Sequence, residues 1–183
     1  MQAELIFGFL IGKKMEKEIV NRVAQSKLKT FDLEEYYPAG ERVLFDIKDW
    51  LFQGFILREK EFRDEVKNHD WSQYKDKYLA LTCTTDAIIP VWAYMLITTA
   101  LQPYAKKIVL GDKNQLETII YQDIISKIDV EEYAGFPVII KGCSKKPVPD
   151  NAYLQIIQKL QLVAKSIMFG EACSSVPLFK QKK

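Results

Sequence analysis

The sequence predicts an α/β protein in which helices pack on a mainly parallel sheet, with an N-terminal helix and strand segment wrapped onto it. Two observations carry this. From Lys77 onward, short apolar runs alternate with longer segments whose apolar residues recur every three or four positions. That strand–helix alternation is the pattern of a parallel sheet covered by helices. In addition, Gly and Pro fall between the runs, where they end both periods.

The elements follow in order. Residues 1–14 contain AELIFGFLIG, Ala3 to Gly12, which is apolar but too short to span a bilayer and lacks the small-residue site of a secretory leader. They are read as an N-terminal extension to a single domain over 15–183, the rival reading being a short extra helix or strand. Ile19, Val20, Val23 and Ala24 predict an amphipathic helix between Glu16 and Lys27. KLKTFDL, Lys27 to Leu33, and RVLFDI, Arg42 to Ile47, read as strands separated by the turn YYPAGE. The next stretch predicts two helical pieces interrupted near Gly54, the second with closely spaced opposite charges on a solvated face.

The regular part comes after. KYLALTC is a strand and IIPVWAYMLITTALQPY a helix with Pro90 in its first turn, apolar nearly all round and so expected to be buried on several sides. KKIVLGD is a strand, followed by a helix presenting Leu116, Ile119, Ile120 and Ile124. FPVIIKG is a strand, DNAYLQIIQKLQLV a helix capped by Asp150, and KSIMFGE the strand that closes the series.

Composition limits the function. Among 183 residues, 26 Lys and Arg stand against 24 Asp and Glu, a formal charge of +2 with no basic stripe, so nucleic acid is not an expected partner. No membrane partner is expected either. The three cysteines are an odd number and have no secreted disulfide spacing, which points to reduced thiols and a cytoplasmic location.

Each cysteine follows a predicted strand: Cys83 ends YLALTC, Cys143 follows VIIKG and Cys173 comes shortly after SIMFG. In an open parallel sheet, ligands and catalytic groups collect at the carboxyl ends of the strands. Hydroxyl residues follow each cysteine, and Lys145 and Lys146 follow Cys143; such neighbours favour the thiolate. Three thiolates from three strand ends can bind zinc, with His69, Asp86 or Glu171 as a fourth ligand, or an iron–sulfur cluster. Lys145 and Lys146 would offset the charge of such a site. Alternatively, a cysteine packs as a small hydrophobe, or stands as an unligated reactive thiol.

Other features are weighed in the same way. In NHDWSQY, His69 is either a general base or ligand oriented by Asp70, or the end of a helix with Trp71 anchoring the connection. A nucleophile pair of Cys83 or Cys143 with His69 has no local support. VLGDKNQ places Gly and Asp before a helix N-terminus, but neither GxGxxG nor GxxxxGK[ST] is present. Trp50, Trp71 and Trp92 read as core.

The motifs TFDLEEYYP, RVLFDIKDWL, NHDWSQY, AIIPVWAYML, VIIKGCSKKPVP and GEACSSVP resemble a bacterial domain-of-unknown-function family found mainly in Bacteroidetes. The resemblance covers about Met15 to Lys180 and is most specific at Lys141 to Pro149 and Gly170 to Pro177. The family's genes often lie near those for iron–sulfur cluster assembly. The resemblance therefore implies an accessory role in sulfur or iron metabolism, with iron–sulfur assembly proteins as partners, and carries over no catalytic residues.

Three functions are thus expected from the sequence. The first is a protein that binds a metal or iron–sulfur cluster through Cys83, Cys143 and Cys173 and acts in cluster assembly or transfer. The second is a thiol-dependent enzyme or redox protein with one activated cysteine. The third is a non-catalytic interaction protein with structural cysteines.

Overall fold

The structure, a computed structural model, describes residues 27–142 and 145–182. The helix expected from Glu16 lies outside them, as does Cys143. The described residues open with two strands that end alike. Strand β1 (Lys29–Asp32) stops where the Asp32 carboxylate accepts a hydrogen bond from the Glu34 amide at 3.0 Å, which starts a 3-10 turn at Leu33–Tyr36. Strand β2 (Arg42–Asp46) stops in the same way, with Asp46 accepting from the Lys48 amide at 3.1 Å and a turn at Ile47–Trp50. Helix α1 (Glu59–Asn68), β3 (Tyr78–Thr82), α2 (Val91–Leu101), β4 (Lys107–Leu110) and α3 (Lys113–Lys127) come next. Then follow β5 (Pro137–Lys141), α4 (Asp150–Leu160), β6 (Ser166–Glu171) and β7 (Ser174–Lys180).

The α/β class and the mainly parallel pairing are as expected, but the strands divide between two sheets. One has the order β2-β3-β4, all parallel; the other has the order β1-β5-β6-β7, with only β7 antiparallel. The N-terminal strands expected to wrap onto one sheet instead give an edge strand to each, β1 to one and β2 to the other. Three further expectations are corrected. β6 does not close the series, because β7 folds back on it. Pro149, not Asp150, is the cap of α4, and Asp150 is its first residue, with no side-chain capping bond. Helix α2 is buried on fewer sides than expected, since Val91 and Met95 are exposed.

The two sheets are two copies of one unit. PVWAYMLITTALQPYAKKIVLGD (90–112) and PDNAYLQIIQKLQLVAKSIMFGE (149–171) align without a gap, sharing Pro90/Pro149, Ala93/Ala152, Tyr94/Tyr153, Ile97/Ile156, Leu101/Leu160, Gln102/Gln161, Ala105/Ala164, Lys106/Lys165, Ile108/Ile167 and Gly111/Gly170. The hydrogen bonds repeat as well. Ala105 N donates to Leu101 O as Ala164 N does to Leu160 O, and Lys106 N to Lys77 O as Lys165 N does to Phe136 O. Asp70 caps the turn before β3 as Asp129 caps the turn before β5. Phe45 meets Trp50 and Tyr74 as Phe31 meets Tyr36 and Tyr133. One unit is thus β2, α1, β3, α2 and β4, lying between the first strand of the other, β1, and its remainder.

Helix α3 belongs to both. Its Leu116 and Ile120 pack with Ala80 and Val109 of the β2-β3-β4 sheet, while Tyr121 and Ile125 join the core of Phe31, Val138, Ile140 and Ile156 on the other sheet. A second tie is polar. Arg42 Nε donates to Glu117 Oε1 at 2.6 Å, and its Nη1 donates to the carbonyls of Pro38 and Gly40. The guanidinium lies between the rings of Tyr37 and Tyr78, 4.2 and 4.8 Å from their centroids. Among the described residues no helix is long and apolar enough to cross a membrane.

Candidate binding site

The carboxyl rim of β5 is built around Gly142. Its φ is +155°, and a Cβ there would lie 2.7 Å from the Tyr153 hydroxyl, so only glycine lets Tyr153 rest against the backbone. The Tyr153 ring meets Phe169 edge-on with centroids 5.6 Å apart. Beside this pair is a cavity of about 450 Å³ lined by Ile140, Asp150, Tyr153, Leu154, Ile157, Phe169 and Leu178. That volume lies in the range of small-molecule pockets. Asp150 is its one charged group. Six of these residues come from β5, α4 and β6; the seventh, Leu178, comes from β7, which has no counterpart in the other unit among the described residues.

The same rim carries charges. Lys141 Nζ lies 3.1 Å from Asp32 Oδ2, and this hydrogen bond, with the charges of Asp32 and Glu171, holds the ammonium pKa above its ordinary value. Lys145 and Lys146 are both exposed. The Lys145 amide donates to Glu34 Oε1 at 2.8 Å, and Lys146 Nζ stands 5.5 Å over the Tyr37 ring. Both lysines thus dock the loop after β5 on the turn after β1. Cys143 and Ser144 lie outside the described residues.

The equivalent rim of the other unit differs. Half-buried Cys83 packs against the apolar core, with Sγ 3.3 Å from Thr85 Oγ1. By the repeat, Cys83 corresponds to Gly142, and Thr84 corresponds to Cys143. Thr84 donates through both its amide and its hydroxyl to Asp46. Burial opposes ionisation of Asp46, but the donors Thr84 and Lys48 outweigh it and hold the carboxyl below its usual range. Burial, then the nearby Cys83 and Asp46, push the Tyr94 hydroxyl up.

The remaining predicted residues stand elsewhere. His69 follows α1 directly, its Nε2 3.0 Å from the Tyr74 hydroxyl and its ring among Phe45, Trp50 and Trp71. Trp71 donates from Nε1 to Val66 O at 2.8 Å. His69 is therefore the end of a helix in an aromatic cluster, and Trp71 anchors the connection. Cys173 is exposed in the tight turn between β6 and β7, and Asp86 and Glu171 are exposed too. Among the described residues no three His, Cys, Asp or Glu side chains gather as a metal would require. Cys83 follows a strand of one sheet and Cys173 lies in a turn of the other, while Cys143 lies outside the described residues.

Fold and site together define an α/β protein of two similar units, in which, among the described residues, one unit carries an extra strand that helps to wall an apolar cavity. The chain belongs to the family described as Protein of unknown function (DUF2480), whose model matches residues 17–181. No curated protein and no solved structure matches it.

The cavity was missed in the sequence because Leu178 lies in a stretch broken by Pro177. The signal that could have found it was the repeat: once the two P-x-x-A-Y segments are superposed, SSVPLFK is left over beyond the second.

Proposed function

We propose that this chain is a binding protein whose site is the apolar cavity between α4 and the β5-β6-β7 face, and that it takes an apolar group of a small molecule or partner. It is nearest to the third of the functions expected from the sequence, a non-catalytic interaction protein with structural cysteines, which named no cavity. One observation carries it. The units share their core positions and rim tyrosine, and they differ by the strand that walls this cavity. An addition to one copy that creates a concave apolar surface, with Asp150 and Tyr153 as its few polar groups, fits a binding role. The accessory role in sulfur or iron metabolism is proposed as its setting, supported by the resemblance and by the place of Cys143 in the chain, directly after the glycine on which cavity-lining Tyr153 rests.

A neutral polarity-sensitive naphthalene dye reports on the cavity. The full chain is expected to bind it, and Leu178→Glu to weaken binding at least tenfold, about 1.4 kcal/mol. Val176→Glu, an exposed position on the same strand that does not line the cavity, is expected to leave it unchanged. Equal affinity in all three proteins refutes the assignment.

A second reading keeps the three-thiol site, favoured by the position of Cys83 and Cys173 directly after or at the turn following β3 and β6. Iron and zinc analysis of anaerobically purified protein separates the two. Near-stoichiometric metal that is lost in Cys143→Ser supports the thiol site. Metal-free protein of unchanged stability, with dye binding intact, supports the cavity alone.

A further inference from the structure

We infer that the outer edge of β4 is a self-association site, where a second copy of this chain adds its own β4 antiparallel to the first. The observation is again the difference between the units. In the second unit the outer edge of β6 is covered by antiparallel β7. In the first unit β4 is the last strand of its sheet, and among the described residues no strand pairs with its outer side. An open edge presents unpaired N–H and C=O groups and is a template for another chain.

The surface beside that edge stands where the walls of the cavity stand in the other unit, with Leu81 in the place of Ile140 and Thr98 in the place of Ile157. Val91, Tyr94, Met95 and Leu110 correspond to Asp150, Tyr153, Leu154 and Phe169. What is missing is the wall that β7 supplies. Val91, Met95 and Leu110 are accordingly exposed at 68%, 62% and 52%, a cluster of large apolar side chains beside an open edge.

The repeat also states the geometry of what fits: an antiparallel strand with apolar residues at alternate positions. A second copy meets both conditions. A two-fold axis normal to the sheet pairs identical strands antiparallel, and closes the interface after two copies. Strand β4 carries Ile108 and Leu110 at alternate positions, so each copy offers the other what β7 offers β6. The charge on this edge strand, Lys107, is neutralised by Asp123 at 2.5 Å, and the chain's formal charge is only +2, so like-charge repulsion between copies is small.

Sedimentation velocity on the full chain is the test, run across concentrations that bracket a Kd of about 1 µM, together with amide exchange of β4. A twofold rise in mass with concentration, accompanied by slower exchange in β4, is expected. Met95→Glu with Leu110→Glu, both at exposed positions and so compatible with the monomer fold, should abolish the rise while leaving the far-ultraviolet circular dichroism unchanged. A chain that stays monomeric throughout overturns the inference. A dimer that persists in the double variant overturns it as well. Protection of β4 at every concentration in a monomer shows that the chain's own residues cover the edge, which also overturns it.

Discussion

Glu117→Ala is expected to destabilise the protein by about 3–5 kcal/mol, the cost of leaving one member of a buried ion pair without its partner. Only a tenth of each side chain of the Arg42–Glu117 pair is exposed. Removing the carboxylate leaves a guanidinium with the carbonyls of Pro38 and Gly40, two neutral acceptors, and no counter-charge. The loss reaches further than one pair, because Arg42 begins a strand of one sheet while Tyr37, stacked on it and within 3.3 Å of Glu117, follows the first strand of the other. Urea denaturation measures the effect. The double replacement Arg42→Met with Glu117→Met should cost much less than the single change, since no charge is left unpaired and the stems still pack between the tyrosine rings. A Glu117→Ala protein within 0.5 kcal/mol of the parent would mean that water already compensates the guanidinium.

How far the sequence revealed this arrangement depends on the range of the forces involved. Strands β3, β4, β5 and β6 and helices α2, α3 and α4 were legible because each buries a face whose period is written locally: Leu79, Ala80 and Leu81 in one strand, Ala93, Ile97 and Leu101 along one helix. Strand order is set by contacts between distant segments and leaves no local mark. Hence Phe31 and Phe45, in near-identical contexts, gave no sign that they enter different sheets. Strand β7 was hidden by Pro177, which lies opposite Met168 at a register shift on an edge strand, the one setting where a sheet tolerates proline. Helix α2 is apolar nearly all round and so expected to be buried on several sides, yet Val91 and Met95 are exposed; apolarity alone does not separate a core face from an exposed one. The cysteines show the same limit. Their positions at strand ends were correct for Cys83 and near Cys173, but a strand end in one sheet says nothing about its distance from a strand end in another.

Ile97→Ala and Ile156→Ala are expected to cost about 2–5 kcal/mol each, and nearly the same amount as one another. Both side chains are fully buried, both sit four residues after the alanine that lets the helix approach its sheet, and each belongs to a separate apolar cluster. Because the clusters share neither residue, the two costs should add in the double variant to within about 0.5 kcal/mol. Additivity of cost does not imply independent unfolding. Helix α3 places Leu116 and Ile120 in one unit and Tyr121 and Ile125 in the other, and the Arg42–Glu117 pair bridges them, so neither sheet keeps its cover once the other is lost. Calorimetry on Ile97→Ala should therefore show a single transition at lower temperature, by about 2–4 °C for each kcal/mol. Two transitions, with that of the β1-β5-β6-β7 sheet unmoved, would show that the duplicated units fold separately and that α3 serves only one of them.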